Sequence, residues 1–227
     1  MNLATDKGGS GQYVHVGCGF TAGDAWVNFD ASPTLRIERI PLVGKTISRL
    51  FGDGEPFPRS ARYGDIVKGL PLEEGSSAAI FASHVLEHLS LDDMRTGLKE
   101  CYRVLAPGGR IRIIVPDLEA RARRYLQARE AGEPGASMDF MDTCYLGQKS
   151  RPRSVLSHLR AALGNSKHLW MWDEGSMSRE LERAGFINVR RVQFGDSGDP
   201  KFDQVERRDR YIDDGIVEVA LEAKKPS

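Results

Sequence analysis

The stretch Tyr13-Val14-His15-Val16-Gly17-Cys18-Gly19 decides the fold. Four β-prone residues run straight into a glycine-spaced turn. Glycine reaches positive φ without steric cost and lets the backbone pass close to a ligand. In an open α/β sheet, ligands sit beyond the carboxyl ends of the strands, where the strand order reverses, and the first strand usually borders that point. A lone Gly-x-Gly is equally an ordinary strand-to-helix turn, so the neighbouring strand ends carry the weight.

Outward from that turn, Trp26-Val27-Asn28-Phe29 reads as a second strand ending at Asp30. A carboxylate there can accept two hydrogen bonds from a ribose diol. Ala61-Arg62-Tyr63 reads as a short third strand before Asp65, which can accept from an exocyclic amine such as adenine N6. Each acid also fits as a helix cap or turn residue. Ala78 to Ala82 reads as a buried strand. Ser90, with Asp93 three residues on, caps a helix. Leu91, Met94, Leu98, Cys101 and Leu105 continue it at helical spacing. Pro107-Gly108-Gly109 stops it, and Arg110 to Val115 is a strand. Helices are predicted over Leu118 to Ala131 and over Ser176 to Ala184, with Gly185 at the C′ position. Phe186 to Phe194 and Ile216 to Lys224 are the last strands, the latter with Val217, Val219, Leu221 and Ala223 on one face. Ser32 to Ser60 reads as loop-rich with a short helix near Val43 to Leu50, and Met138 to Lys167 as less regular. This alternation predicts an α/β domain, a parallel sheet with helices on both faces that ends in an antiparallel hairpin at its edge. Residues 1–12 are expected to be disordered. Residues 13–227 are expected to form one domain with elaborations at about 33–60 and 118–172.

A chain of 227 residues suits one domain. Its 32 basic and 32 acidic residues balance, which argues against a general nucleic-acid binder. No apolar run approaches the ~20 residues of a membrane span, so no stable membrane insertion is expected. Met1 to Gln12 lacks the apolar core of a signal peptide. Cys18, Cys101 and Cys144 form no CxxC, so neither a disulfide scaffold nor a cysteine metal site is expected, and the cytoplasm is the default location.

The ordered set Val14–Gly19, Trp26–Asp30, Gly64-Asp65-Ile66 with Leu70-Pro71-Leu72, Phe81–Leu89 (FASHVLEHL) and Glu100–Leu118 (ECYRVLAPGGRIRIIVPDL) resembles the Rossmann-like S-adenosylmethionine-dependent methyltransferases. The closest resemblance is to a bacterial subgroup with HVLEHL after strand four and PGGRxRxxVPDL around strand five. His168–Asp173 (HLWMWD) and Ala184-Gly185-Phe186 also fit it. The resemblance implies a doubly wound, mostly parallel seven-stranded sheet with an antiparallel edge strand. It implies S-adenosylmethionine as cofactor and S-adenosylhomocysteine as product. By position, Gly17, Cys18 and Gly19 would wrap the methionine part, Asp30 would hold the ribose, and Asp65 and Ile66 would border adenine. Ser83 and His84 would lie beside the sulfonium and the acceptor. Two positions depart from the wider family: His15 stands where an acid is common, and Phe20-Thr21 where a third glycine is common.

Methyl transfer from a sulfonium is an in-line displacement, in which the protein mainly aligns donor and nucleophile. An oxygen nucleophile also benefits from a base. His84 is the first candidate, Asp117 the second and His168 the third, while His88 reads as a buttress of the helix start. Lys149 to His168 holds five basic residues and no acid, following Arg121, Arg123, Arg124 and Arg129. Such a lid favours an anionic small-molecule or glycan acceptor. A solvated helix face, or contact to a second copy of the chain in a homodimer, is the other reading of that segment. Two further functions compete: a non-catalytic binding or scaffold protein on the same fold, and a zinc hydrolase. The latter rests on His84-Val85-Leu86-Glu87-His88, which matches H-x-x-E-H. That pattern needs both histidines on one helix face and a third ligand, which the sequence does not place, so no metal is expected. An NAD-linked reductase fits poorly, because Gly17, Gly19 and Gly23 leave one residue too many for G-x-G-x-x-G.

Overall fold

The computed structural model describes residues 11–42, 44, 55–151, 153–154 and 167–227. The expected disorder of residues 1–10, the expected helix near 43–50 and most of the basic segment 149–168 lie outside the described residues. Gln12, expected to be disordered, instead opens the first strand.

Seven strands form the main sheet. They are β1 (Gln12–Val16), β2 (Trp26–Asp30), β3 (Arg62–Tyr63), β4 (Ser77–Ser83), β5 (Leu105–Val115), β6 (Ile187–Arg191) and β9 (Val219–Lys224). A separate hairpin holds β7 (Ile212–Asp213) and β8 (Ile216–Val217). The main sheet runs β3-β2-β1-β4-β5-β9-β6. The pairs from β3 to β5 are parallel, and β9 is antiparallel to both β5 and β6. The fold is therefore the expected Rossmann-like, mostly parallel α/β sheet. Its antiparallel pair lies at the edge, with β9 inserted one place inside and β6 outermost. The strand order reverses between β1 and β4, so the carboxyl end of β1 opens onto the crevice.

The strand pleat sorts the core into two faces. Val14, Ile80, Ile113 and Leu221 face one cluster, with Met94 and Leu98 of α2 (Leu91–Val104) and Met177 and Leu181 of α5 (Glu174–Arg183). Ala79, Phe81, Ile114 and Ala220 face the other, against Trp26, Phe202, Val205 and Tyr211. Helices on both faces were expected. Among the described residues, the second face is instead covered largely by the stretch between β6 and β7, with a single 3-10 turn at Phe202–Gln204 and the one-turn helix α6 (Arg208–Tyr211).

Several boundaries differ from the sequence reading. A helix α1 (Pro33–Glu38) begins where only loop was read, with proline in its first turn, which suits that position. A helix α4 (Ala136–Thr143) occupies part of the stretch read as irregular, and packs against α3 (Leu118–Glu130). The last strand is broken at Glu218, so Val217 lies exposed in the hairpin while Val219, Leu221 and Ala223 are buried. α2 ends at Val104, before Pro107-Gly108-Gly109, and Leu105, expected to be helical, opens β5: it pairs with Ser77, and the ladder resumes at Arg110 opposite Ala79 after an irregularity. Backbone bonds Gly108 N–H to Lys225 O and Lys225 N–H to Gly109 O hold that bulge.

Candidate active site

The turn after β1 is built by two glycines at φ +65° and +50°. A Cβ on Gly17 would meet Val85 Cγ2 at 2.2 Å, so the segment after β4 packs directly on the glycine backbone. A Cβ on Gly19 would meet nothing within 4 Å, because Gly19 faces open space. Asp30 holds this turn. Its Oδ2 accepts from Gly19 N–H at 2.9 Å and its Oδ1 from Ser32 N–H at 2.8 Å. Cys18 N–H donates to Phe29 O, carrying the β1–β2 pairing into the turn. The Cys18 side chain joins Leu35, Phe57 and Ala61. Burial, and then the charge of Asp30, push its thiol up to about 12, so it packs and does not react as a thiolate.

These residues open onto a cavity of about 560 Å³ at the carboxyl ends of the strands. Gly17, Cys18, Gly19, Asp30, Asp65, Ile66, Ser83 and His84 all line it, so the structure brings the expected cofactor set and the first catalytic candidate to one wall. Asp65 Oδ1 accepts from Val67 N–H at 2.9 Å, and its Oδ2 lies 3.1 Å from Lys68 Nζ. Ser83 Oγ is buried, has no hydrogen-bond partner and borders the same space. His15 lies on β1 among the rings of Trp26 and Phe81. Burial holds it down at about 4, so it is a neutral imidazole at physiological pH.

His84 has φ +54°, a costly conformation for a side chain of this size. Two contacts orient its ring: Nε2 to the Arg210 carbonyl at 3.0 Å, and Nδ1 to Glu87 Oε1 at 3.3 Å. Burial pulls its pKa down, but Glu87 and the Arg210 carbonyl outweigh that, and it stands above the ordinary histidine value. The residues after it form a 3-10 turn, Leu86–His88, and no α-helix. The two-histidine helix face of the H-x-x-E-H reading is therefore absent.

The other two catalytic candidates lie elsewhere. Asp117 caps α3, accepting from Ala120 N–H at 3.0 Å, and its own N–H donates to Glu218. It is not part of the cavity wall among the described residues. His168 stands behind His88, with ring centroids 5.1 Å apart, and is nearly buried. Burial lowers its pKa against the pull of Glu87. His88 itself lines the cavity, and its Nδ1–H donates to the Lys167 carbonyl at 2.9 Å.

Three arginines of α3 are engaged in ion pairs. Arg121 is buried and bound by both oxygens of Glu218, at 2.7 and 2.8 Å. Arg123 pairs with Glu119, and Arg124 with Asp214. Among the described residues, Arg207 and Arg210 bring positive charge to the cavity. The sequence reading missed both, although the run Arg207-Arg208-Asp209-Arg210 was a visible signal.

Residues 14–113 match the family model of a methyltransferase domain. No curated protein matches the chain. Solved structures with similar architecture include a SAM-dependent methyltransferase from Thermotoga maritima, at TM-score 0.47 and 16% identity over 95% of this chain and 83% of that one. A SAM-dependent methyltransferase from Archaeoglobus fulgidus has TM-score 0.45 and 14% identity over 96% and 87% of the two chains. A chain described as a methyltransferase, in complex with the Haloferax volcanii Trm112 methyltransferase activator, has TM-score 0.47 and 15% identity over 96% and 84%. Likenesses at this level carry no weight on substrate or partners. The family match covers β1 to the body of β5, the strands whose ends build the cavity.

Proposed function

We propose that this chain transfers the methyl group of S-adenosylmethionine to an oxygen of a small, anionic acceptor, and that it belongs to the bacterial subgroup its HVLEHL and PGGRxRxxVPDL segments resemble. The observation that carries the reading is the Gly17-Cys18-Gly19 turn, clamped by Asp30 at the mouth of a cavity at the strand-order reversal. The residues fit the cofactor. Gly19 leaves space where a side chain would stand, and Ser83 Oγ is an orphaned polar atom facing the same space. Asp30 keeps lone pairs for a ribose diol beyond its two backbone bonds.

When bound, the cofactor supplies a methyl group already activated by positive sulfur. Asp30 holds the ribose, Gly17 to Gly19 follow the methionine part, and Asp65 and Ile66 flank the base. His84 is the proposed acceptor-side base. Glu87 lies 3.3 Å from Nδ1 and orients a ring whose Nε2 faces only the Arg210 carbonyl. Facing a carbonyl, Nε2 carries a proton; once that carbonyl is released and the proton is lost to solvent, with Nδ1–H held by Glu87, Nε2 can take the acceptor's proton. Arg207 and Arg210 at the rim attract an anionic acceptor. Three free, buried cysteines fit a cytoplasmic setting. Residues 13–227 act as one domain in this reading.

The test is transfer of a labelled methyl group to a panel of hydroxylated acceptors, offered as pairs with and without a phosphate or carboxylate. We expect product with the anionic member of a pair and S-adenosylhomocysteine released in equal amount. Transfer confined to neutral or cationic acceptors would overturn the acceptor class.

A further inference from the structure

Behind His84 lies a group of side chains of which the proposed reaction uses only the contact of Glu87 to His84. Glu87 is fully buried, and neither carboxylate oxygen makes a hydrogen bond of good geometry; its close polar neighbour is His84 Nδ1 at 3.3 Å. A buried carboxylate is costly unless a charge or donors compensate it. The groups around it are histidines. His84 Nδ1 lies 3.3 Å and His88 Nε2 3.9 Å from Glu87 Oε1. One ligand atom from each of Glu87, His88 and His168 lies within 4.8 Å of the others.

The outer contacts fix how His88 presents itself. Its Nδ1 faces the Lys167 carbonyl at 2.9 Å. A carbonyl only accepts, so Nδ1 carries the proton and Nε2 turns a lone pair toward the carboxylate. Metal-binding histidines are held in this way: the far ring nitrogen donates to a carbonyl or carboxylate, which fixes tautomer and orientation. Met171 Sδ lies 3.2 Å from His168 Nδ1 and holds that ring from the other side. A lone pair aimed at a buried carboxylate is unfavourable unless something positive stands between them.

We propose that Glu87, His88 and His168 form a divalent-cation site on the wall of the cavity. Two imidazole nitrogens and one carboxylate suit zinc or a neighbouring transition metal more than magnesium or calcium, which prefer all-oxygen shells. Bonds of about 2.0–2.2 Å put tetrahedral ligands roughly 3.3–3.6 Å apart, so modest side-chain rotation closes the set. Three protein ligands leave a position open, as in catalytic rather than structural zinc sites. His88 lines the cavity, so that position is available to an oxygen of the acceptor. A coordinated hydroxyl loses its proton more readily, with His84 alongside to take it. This use of the cation rests on the methyl-transfer reading, whereas the site itself does not. The sequence pattern H-x-x-E-H pointed to this corner with other ligands: Glu87 enters as a ligand, and the third ligand comes from His168, far along the chain.

The test is calorimetric titration of the chelator-treated full chain with zinc, cobalt and manganese chlorides, followed by S-adenosylhomocysteine. The site predicts one equivalent of zinc or cobalt bound at micromolar Kd or tighter, and a rise in wild-type Tm with zinc. Loss of outer-shell partners alone typically costs about 10–100-fold in affinity, so Glu87→Gln and His168→Ala should each weaken binding by more than about 100-fold. Far-UV circular dichroism separates that loss from failure to fold, and two variants on different segments guard against either one misfolding. No binding of any of the three ions by the folded wild type, or wild-type affinity in both folded variants, would overturn the site. Zinc binding without S-adenosylhomocysteine binding would overturn the methyl-transfer reading and leave the site standing.

Discussion

At Asp30 one carboxylate holds the amides of Gly19 and Ser32 and retains lone pairs for ligand hydroxyls. Hydrogen bonds to a charged group contribute about 1.5–3 kcal/mol each. Asp30→Ala should therefore weaken S-adenosylhomocysteine binding by at least about tenfold in calorimetry. Unchanged affinity would remove Asp30 from the ribose. Gly17 and Gly19 share positive φ but differ in surroundings. Gly17→Ala drives a methyl into Val85, whereas Gly19→Ala meets only the cost of its backbone conformation, about 1–2 kcal/mol. Thermal melts should show Gly17→Ala with the larger fall in Tm, and Val85→Ala added to it should restore part of the loss. Equal Tm values for the two glycine variants would contradict the packing described. At this scale the sequence was informative wherever a residue type is forced by backbone geometry or by a strand end, as at Gly17, Asp30 and Asp65. It was uninformative at Glu87, whose burial depends on His168 arriving from elsewhere in the chain.

Among the elements, α2 and α5 lie side by side on one face of the sheet and are tied by Arg95 and Glu180 in a two-pronged pair at 2.8 Å. The hydrogen bond from Arg95 holds the Glu180 pKa below its ordinary value. A carboxylate so depressed contributes stability above the ordinary carboxylate pKa, and loses it as pH falls through its lower folded value. Wild type should thus exceed Glu180→Gln in stability at about pH 7, and the gap should shrink by about pH 3. Urea unfolding at the two pH values reads this, and a gap that widens in acid would contradict it. α2 was legible because its apolar spacing and cap agree, Ser90 accepting from Asp93 N–H; α5 was read from Ser176, two residues late, because its reciprocal box between Asp173 and Ser176 went unread. α4 was not legible, since its short sequence has little periodicity and it leans on α3 rather than on the sheet. The break at Glu218 was hidden for a similar reason. Glu218 turns inward to meet Arg121, a partner nearly a hundred residues away in sequence, and an acid in an apolar strand gives no local sign of that.

In the whole molecule, a buried ionic cluster connects the sheet to the active-site rim. Arg112 on β5 is fully buried, and its guanidinium meets Asp196, Glu206 and Glu222. Tyr211 O–H also donates to Glu206 at 2.6 Å. These contacts pin the segment between β6 and β7, which carries Val205, Arg207 and Arg210 to the cavity. The parallel character of the sheet was readable from alternating strands and helices, because parallel pairing requires long crossovers. The covering of the second face was not, because it depends on charge pairs between distant residues rather than on a local pattern. If the crevice beside β1 binds the methyl donor, calorimetric titration of the full chain with S-adenosylhomocysteine gives one saturable site with micromolar affinity, abolished or strongly weakened by Asp30→Ala. No heat of binding from a chain shown to be folded would contradict binding there.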